Sequence, residues 1–275
     1  MRNKIFDIFC KQILEPQKGK VASQQMFERL YEVALQGMNY GNGTDFDVNG
    51  ELIALTIIKN RLVQNKKQLT VFDVGANIGG YVQLLLKVFG NDEIKINCFE
   101  PSKKSFETLK KNYSSHSRVS VYNWGLGNKK ETLKLYKTEK FSELSSVFQR
   151  RLDHFNLEMK GVEEIEIDTI DNFCSENKKV EIGFLKIDVE GNELNVLKGG
   201  SKMMALDKIN YIQFEFGGTG IDSRTFFQDF FYLLKDKYRI YRIVKDGLFL
   251  IENYKESCEI FSQVNFIAEH KSIKI

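Results

Sequence analysis

The chain has 275 residues, 42% hydrophobic and 28% charged, and its 40 Lys+Arg against 37 Asp+Glu give a formal net charge of +3. That composition supplies a proper hydrophobic core and excludes a disordered or collagen-like polymer, while the scattered, balanced charges exclude a dedicated nucleic-acid binder. Four cysteines, each more than 70 residues from the next, form neither a zinc cradle nor a disulfide framework and fit a reducing, cytoplasmic setting. No apolar run approaches the roughly 18 residues of a membrane span, and Asp7 interrupts the apolar start, so neither a span nor a signal peptide is expected.

Residues 1–65 read as a helical extension. Phe27, Leu30, Tyr31, Ala34, Leu35 and Met38 recur at helical spacing, a stripe that needs something to pack on, either the main domain or a second copy in a homo-oligomer. A turn-rich loop from Gly37 to Gly50 precedes a second helix over 51–63. From residue 69 short apolar runs alternate with amphipathic helices, so 66–275 is predicted to be an α/β domain. Strands fall at Leu69–Val74, Ile94–Phe99 and Val119–Tyr122, separated by helices carrying Val82, Leu85 and Phe89, then Phe106, Leu109 and Tyr113. This rhythm implies a doubly wound, parallel sheet with right-handed crossovers.

Residues 123–180 break the rhythm and read as an insertion over the sheet edge, either a substrate-contacting segment or surface decoration. The rhythm resumes with a strand at Ile182–Ile187, a helix at Asn192–Leu197, a strand at Tyr211–Phe216 and an aromatic helix at Phe226–Leu234. Tyr238–Val244 and Leu248–Ile251 are predicted to form a hairpin through Asp246-Gly247 in a type I′ turn, and Val264–Ala268 is a last strand.

In such a sheet, ligands bind at the C-terminal strand ends where the strand order reverses. The first turn reads Asp73-Val74-Gly75-Ala76-Asn77-Ile78-Gly79. Gly75 allows a sharp turn; Gly79 is expected to let a ligand lie against the opening of the next helix and its free N–H groups. A plain tight turn is the competing reading. Glu100, 27 residues after Asp73, ends the second strand, where an acid can accept from both ribose hydroxyls of an adenosine or cap the helix beginning near Ser102. Trp124, beside Gly125, suits either adenine stacking or the core. The middle glycine of a dinucleotide motif is missing, and an acid before Gly75 repels a pyrophosphate while suiting the cationic methionine end of S-adenosylmethionine, which disfavours NAD.

The chain resembles a class I S-adenosylmethionine-dependent methyltransferase of the FkbM family. The resemblance rests on Phe72–Gly79, Phe99-Glu100-Pro101, Asp168–Phe173, Leu185–Glu193 running into Leu197-Lys198-Gly199, Glu215 and Asn265–Ala268. It implies a seven-stranded, Rossmann-like sheet with an antiparallel last strand, and O-methylation of a sugar, glycan or other secondary-metabolite hydroxyl. Carried onto this chain, the cofactor-binding positions are Asp73, Gly75, Ala76, Asn77, Gly79, Glu100, Pro101, Trp124, Gly125 and Asp188.

Direct displacement at a methyl carbon gains much of its rate from alignment, and an alcohol needs a base to take its proton. Asp188 is the first candidate base. Glu190 orients the acceptor or caps the next helix, and Glu215 supplies a second carboxylate; with Asp188 these form the catalytic set. The trio could ligate magnesium or calcium, but no metal is expected. Lys186 reads as an ion-pair partner, His154 as an alternative base, Ser142–Ser146 as hydroxyls for a polyol, and His116 and His270 as surface residues. The rivals are a nucleoside-binding, non-catalytic regulator of the same fold and an N-methyltransferase, whose Asn-Pro-Pro-Tyr type loop is replaced here by Asp188-Val189-Glu190-Gly191.

Overall fold

The computed structural model describes residues 4–41, 43, 45–62, 69–138, 142–178 and 181–274. The chain forms two compact units, 1–41 and 42–275. The boundary expected at 65 lies outside the described residues, as does Val63. The first unit holds α1 (Lys4–Phe9), continued by a π-helical turn at Cys10–Leu14, and α2 (Gln24–Gly37). The apolar stripe expected on α2 is only half covered within the chain: Phe27, Leu30 and Leu35 are half-buried, whereas Tyr31 is exposed.

The second unit opens with α3 (Glu51–Leu62), whose Ala54, Leu55, Ile58 and Leu62 are buried against the sheet rather than in an N-terminal extension. The α/β series follows as β1 (Leu69–Val74), α4 (Gly80–Phe89), β2 (Ile94–Phe99), α5 (Lys103–Tyr113) and β3 (Val119–Tyr122). The insertion contains β4 (Gly125–Leu126), β5 (Glu131–Lys137) and β6 (Gly161–Asp168), then α6 (Ile170–Glu176). The chain ends with β7 (Ile182–Ile187), α7 (Glu193–Lys198), α8 (Ser201–Ala205), β8 (Ile209–Phe216), α9 (Thr219–Ser223), α10 (Phe227–Leu234), β9 (Tyr238–Val244), β10 (Gly247–Leu250) and β11 (Val264–His270).

Eight strands make the main sheet in the order β10-β9-β11-β8-β7-β1-β2-β3. β1, β2, β3, β7 and β8 run parallel, and β11 inserts antiparallel between β8 and β9. This is the expected doubly wound sheet with an antiparallel last strand, and β10 adds an eighth strand at the edge. The order reverses between β1 and β7. The hairpin forms, but its loop is Lys245-Asp246 and neither residue has positive φ, so the turn is not type I′, which needs left-handed backbone at both central positions.

Side-chain alternation divides the core. Val71, Ile96, Phe184 and Tyr211 face α3 and α4, where Val82, Leu85 and Phe89 complete the cluster. On the other face Phe72, Phe99, Tyr122 and Phe173 meet edge-to-face, tilted or stacked, with ring centroids 4.9–5.4 Å apart. The insertion has its own small sheet, β4-β6-β5, over buried Leu135, Ile165 and Ile167. His270 is a correction: it is buried, with Nδ1 2.7 Å from Ser272 and Nε2 3.2 Å from Asp207. His116 is half-buried, and its Nδ1 accepts the Arg118 N–H.

Candidate active site

At the reversal point the loops after β1 and β7 touch. Gly75 has φ +82°, and a Cβ there would overlap the Asp188 carbonyl, so only glycine permits this approach. Gly79 departs from its expected role. It also has positive φ, but the space where a Cβ would sit is filled by Tyr113 and Leu109 of α5. The glycine serves helix packing, and Tyr113 donates to its carbonyl at 2.9 Å. Four N–H groups of the turn itself are taken. Gly75 and Ala76 donate to the Phe99 carbonyl, Asn77 to Glu100, and Gly79 to Ala76. A pyrophosphate would find those four donors occupied.

Glu100 ties two strand ends together. One carboxylate oxygen accepts from Asn77 N–H and the other from Ser102 N–H, each at 2.8 Å. The helix-end role is therefore realised, and each oxygen keeps a second lone pair for a ligand hydroxyl. Burial pushes this carboxyl up to about 7 against the pull of those two N–H groups. Asn123 donates to the carbonyls of Glu100 and Pro101, and Pro101 packs against Gly125. Trp124 joins the aromatic cluster, 4.9 Å from Tyr122 and tilted, with its indole N–H buried and unpartnered.

A polar row crosses the sheet beneath these turns. Asp73, Lys186 and Gln213 are register neighbours on β1, β7 and β8 and share the face under α3. Gln213 donates to Glu51 at 2.6 Å and accepts from Tyr81 at 2.8 Å. The Lys186 ammonium lies 2.8 Å from an Asp188 oxygen and 4.9 Å from the centre of the Tyr81 ring. Burial works against its charge, but Asp188, Asp73 and Glu51 outweigh that and hold it above the ordinary lysine range. Asp73 is fully buried with both carboxylate oxygens unpartnered, and the buried Asn77 side-chain oxygen is unpartnered too. Burial lifts Asp73 to about 6, with Lys186 pulling the other way. Buried acceptors of this kind call for a cation or a donor.

Asp188, Glu190 and Glu215, proposed as a set from sequence, converge: one ligand atom from each lies within 4.8 Å of the others. All three donors are oxygens, which suits a hard cation, although Lys186 and Arg150 already neutralise two of the acids. Glu190 does not cap the helix. It sits at φ +54°, and its carboxylate binds Arg150 at 2.6 Å. Burial and then Asp188 push it up to about 8. Glu215, held by Gln263 at 2.7 Å, is raised well above the usual range by burial, Asp188 and Glu190.

Two site residues escaped the sequence reading. Glu193 turns back to accept from Val189 N–H at 3.0 Å and Gly191 N–H at 3.0–3.1 Å, fixing the loop that carries Asp188 and Glu190. Its position in the Leu185–Glu193 motif was a signal. Arg150 comes from the insertion, and nothing in its surroundings in sequence marks it. Ser146, in the expected Ser142–Ser146 stretch, donates to the Glu190 carbonyl at 2.6 Å, so this part of the insertion docks on the β7 loop. His154 is exposed and packs on Phe155 instead of joining the carboxylates. The Asp168–Phe173 motif is architectural: Thr169 caps α6, and Asp171 accepts two N–H groups at the start of α8.

The Methyltransferase FkbM domain model matches residues 73–242, the stretch from the end of β1 through most of β9. Over 144 residues the chain is 26% identical to Methyltransferase 1 of Beauveria bassiana, spanning 47% of this chain and 57% of that protein. Over 158 residues it is 20% identical to the 2-O-methyltransferase NoeI of Sinorhizobium fredii, spanning 54% and 64%. The chain thus spans less than two thirds of either relative. A crystal structure of a methyltransferase FkbM from Methylobacillus flagellatus aligns at TM-score 0.47 and 17% identity, covering 74% of this chain and 44% of that one. With its domain model matched across more than half of its length, the chain belongs to the FkbM methyltransferase domain family.

Proposed function

We propose that the chain is an S-adenosylmethionine-dependent O-methyltransferase acting on a hydroxyl of a sugar, glycan or secondary metabolite. The observation that carries this is the pair of features at the reversal point: a buried, unpartnered Asp73 carboxylate and, on the adjoining strand ends, three converging carboxylates. When bound, S-adenosylmethionine supplies an electrophilic methyl on a sulfonium. Asp73 and the Asn77 side-chain oxygen would take its ammonium, directly or through water, and the free lone pairs of Glu100 its ribose hydroxyls. Ala76, Pro101, Trp124 and Gly125 would wall the nucleoside.

Asp188 would accept the acceptor hydroxyl's proton as the methyl passes from sulfur to that oxygen, the thioether S-adenosylhomocysteine leaving, and Lys186 holds the Asp188 carboxylate in place. Glu190 and Glu215, both raised by burial and by their acidic neighbours, can hydrogen-bond other hydroxyls of a polyol. Asp222 stands 3.8 Å from Arg150, so four acidic side chains meet one guanidinium and the Lys186 ammonium around the rim. That balance disfavours phosphate-rich acceptors, nucleic acid included, and favours a neutral one. The wide spacing of the four cysteines accords with a reducing, cytoplasmic location. Among the described residues no helix is long and apolar enough to cross a membrane. Titration calorimetry with S-adenosylhomocysteine, followed by labelled methyl transfer to a panel of sugars, tests the reading. A folded protein that gives no heat with that product overturns it.

A further inference from the structure

Outside the strand-end site, the N-terminal helical segment presents apolar side chains to solvent. Along α1 and its π-helical continuation, Ile5, Phe9 and Ile13 follow one another at intervals of four, with Phe6, Cys10 and Leu14 beside them. Residues so spaced lie along one side of a helix. Ile5 is 79%, Phe6 60% and Ile13 53% exposed, and no residue of either element is buried. Contiguous apolar surface of this kind marks a place of contact. Its charge is as distinctive. The first 20 residues carry five basic side chains against two acidic, a balance of +3 equal to that of the entire chain, so residues 21–275 balance to zero.

We propose that this segment is an in-plane anchor for an anionic lipid surface. Its phenylalanines and isoleucines enter the boundary between headgroups and acyl chains, and Lys4 and Lys11 meet the lipid phosphates. Charge selects this occupant: a second copy would set +3 against +3, whereas an anionic bilayer is the complement. At 1.5 Å per residue the segment is about 16 Å long, half the hydrocarbon thickness, so it lies in the surface and does not span it.

Flotation of the full chain with vesicles tests this. Binding to phosphatidylcholine vesicles containing about one-third phosphatidylglycerol is expected to be on the order of 100-fold tighter than to pure phosphatidylcholine. It should weaken as NaCl rises from about 0.05 to about 0.5 M, because screening shortens the reach of the lysines. Phe6→Glu/Phe9→Glu and, separately, Lys4→Glu/Lys11→Glu should each abolish flotation and leave the melting temperature unchanged, these side chains lying outside any core. Failure of the wild type to float with anionic vesicles at low salt, or equal binding to both vesicle types, overturns the proposal. So does flotation of either variant at the wild-type level. A dimer in light scattering that dissociates in Phe6→Glu/Phe9→Glu assigns the face to a second copy and overturns it as well.

Discussion

Replacing Lys186 with Met removes the ammonium that faces Asp73, Asp188 and Glu51 but keeps an unbranched stem against Tyr81. Lys186 is almost wholly buried, with Nζ 2.8 Å from Asp188. Removing one partner of a buried pair costs about 3–5 kcal/mol because the other is left unneutralised. The Asp188 side chain is 35% exposed, so water recovers part of its charge, and the lower end, about 3 kcal/mol, is expected at mildly alkaline pH. The loss should depend on pH in a definite direction. Burial raises Asp73 to about 6 and also raises Glu51 above the ordinary carboxylate range, with Lys186 opposing the shift in both. A carboxyl raised in the folded state stabilises it below the unfolded value, and that contribution is lost as pH climbs through the folded value. Without Lys186 both carboxyls keep their protons to higher pH. The stability gap between wild type and Lys186→Met should therefore narrow as pH falls from about 8 toward about 5, by up to about 1.4 kcal/mol per pH unit for each proton taken up. Urea denaturation at both ends of that range measures the gap. A gap of the same size at both would show that Lys186 acts by filling space, and the ion cluster would have to be abandoned.

Glu100→Ala should weaken S-adenosylhomocysteine binding at least about 10-fold by calorimetry and cost about 1–3 kcal/mol of stability, since Asn77 and Ser102 N–H lose their acceptor; unchanged affinity would remove Glu100 from ribose recognition. Asp188→Asn should lower turnover by about 10²–10⁴ while the product still binds, and surviving activity would place the base elsewhere. Gly79→Ala should cost about 1–3 kcal/mol in denaturant unfolding because its methyl meets Tyr113 and Leu109; a neutral result would mean that α5 shifts freely. A chelator should leave the methylation rate unchanged, and a fall reversed by added magnesium would assign an ion to Asp188, Glu190 and Glu215.

The parallel strands were legible because each is a short apolar run, all but β3 ended by a glycine or an acid, and the side-chain period of two leaves little freedom once both faces are buried. The convergence of Asp188, Glu190 and Glu215 follows from their being at or just after the ends of neighbouring strands. What stayed hidden depends on contacts between segments distant in sequence. Gly79 looks like a ligand-facing glycine until α5 is in place and Tyr113 fills the space. The attachment of α3 was obscured because its apolar residues lie on nearly every side and give little periodic signal, and Glu51 finds Gln213 162 positions away. Arg150 sits in a polar stretch like any surface arginine, and only the docking of the insertion brings it to Glu190. The Asp246-Gly247 pair suggested a turn type that the strand register sets aside by placing Gly247 inside β10.

The acids at the strand ends divide by what they touch. Glu100 and Glu193 fold back onto backbone N–H groups of the turns that follow β1, β2 and β7, and burial brings both to about 7. They are the struts of the site, since they hold the loops in place and keep each turn's shape from depending on a ligand. Among the described residues Asp73 has no such partner, and Asp188, Glu190 and Glu215 are held by Lys186, Arg150 and Gln263. Burial and neighbouring acids raise Glu190 and Glu215, so the set resists further negative charge, and a cation beside Asp73 is the addition it accommodates most readily. A pyrophosphate would add negative charge next to Asp73, in a turn where the Gly75, Ala76, Asn77 and Gly79 N–H groups are already taken.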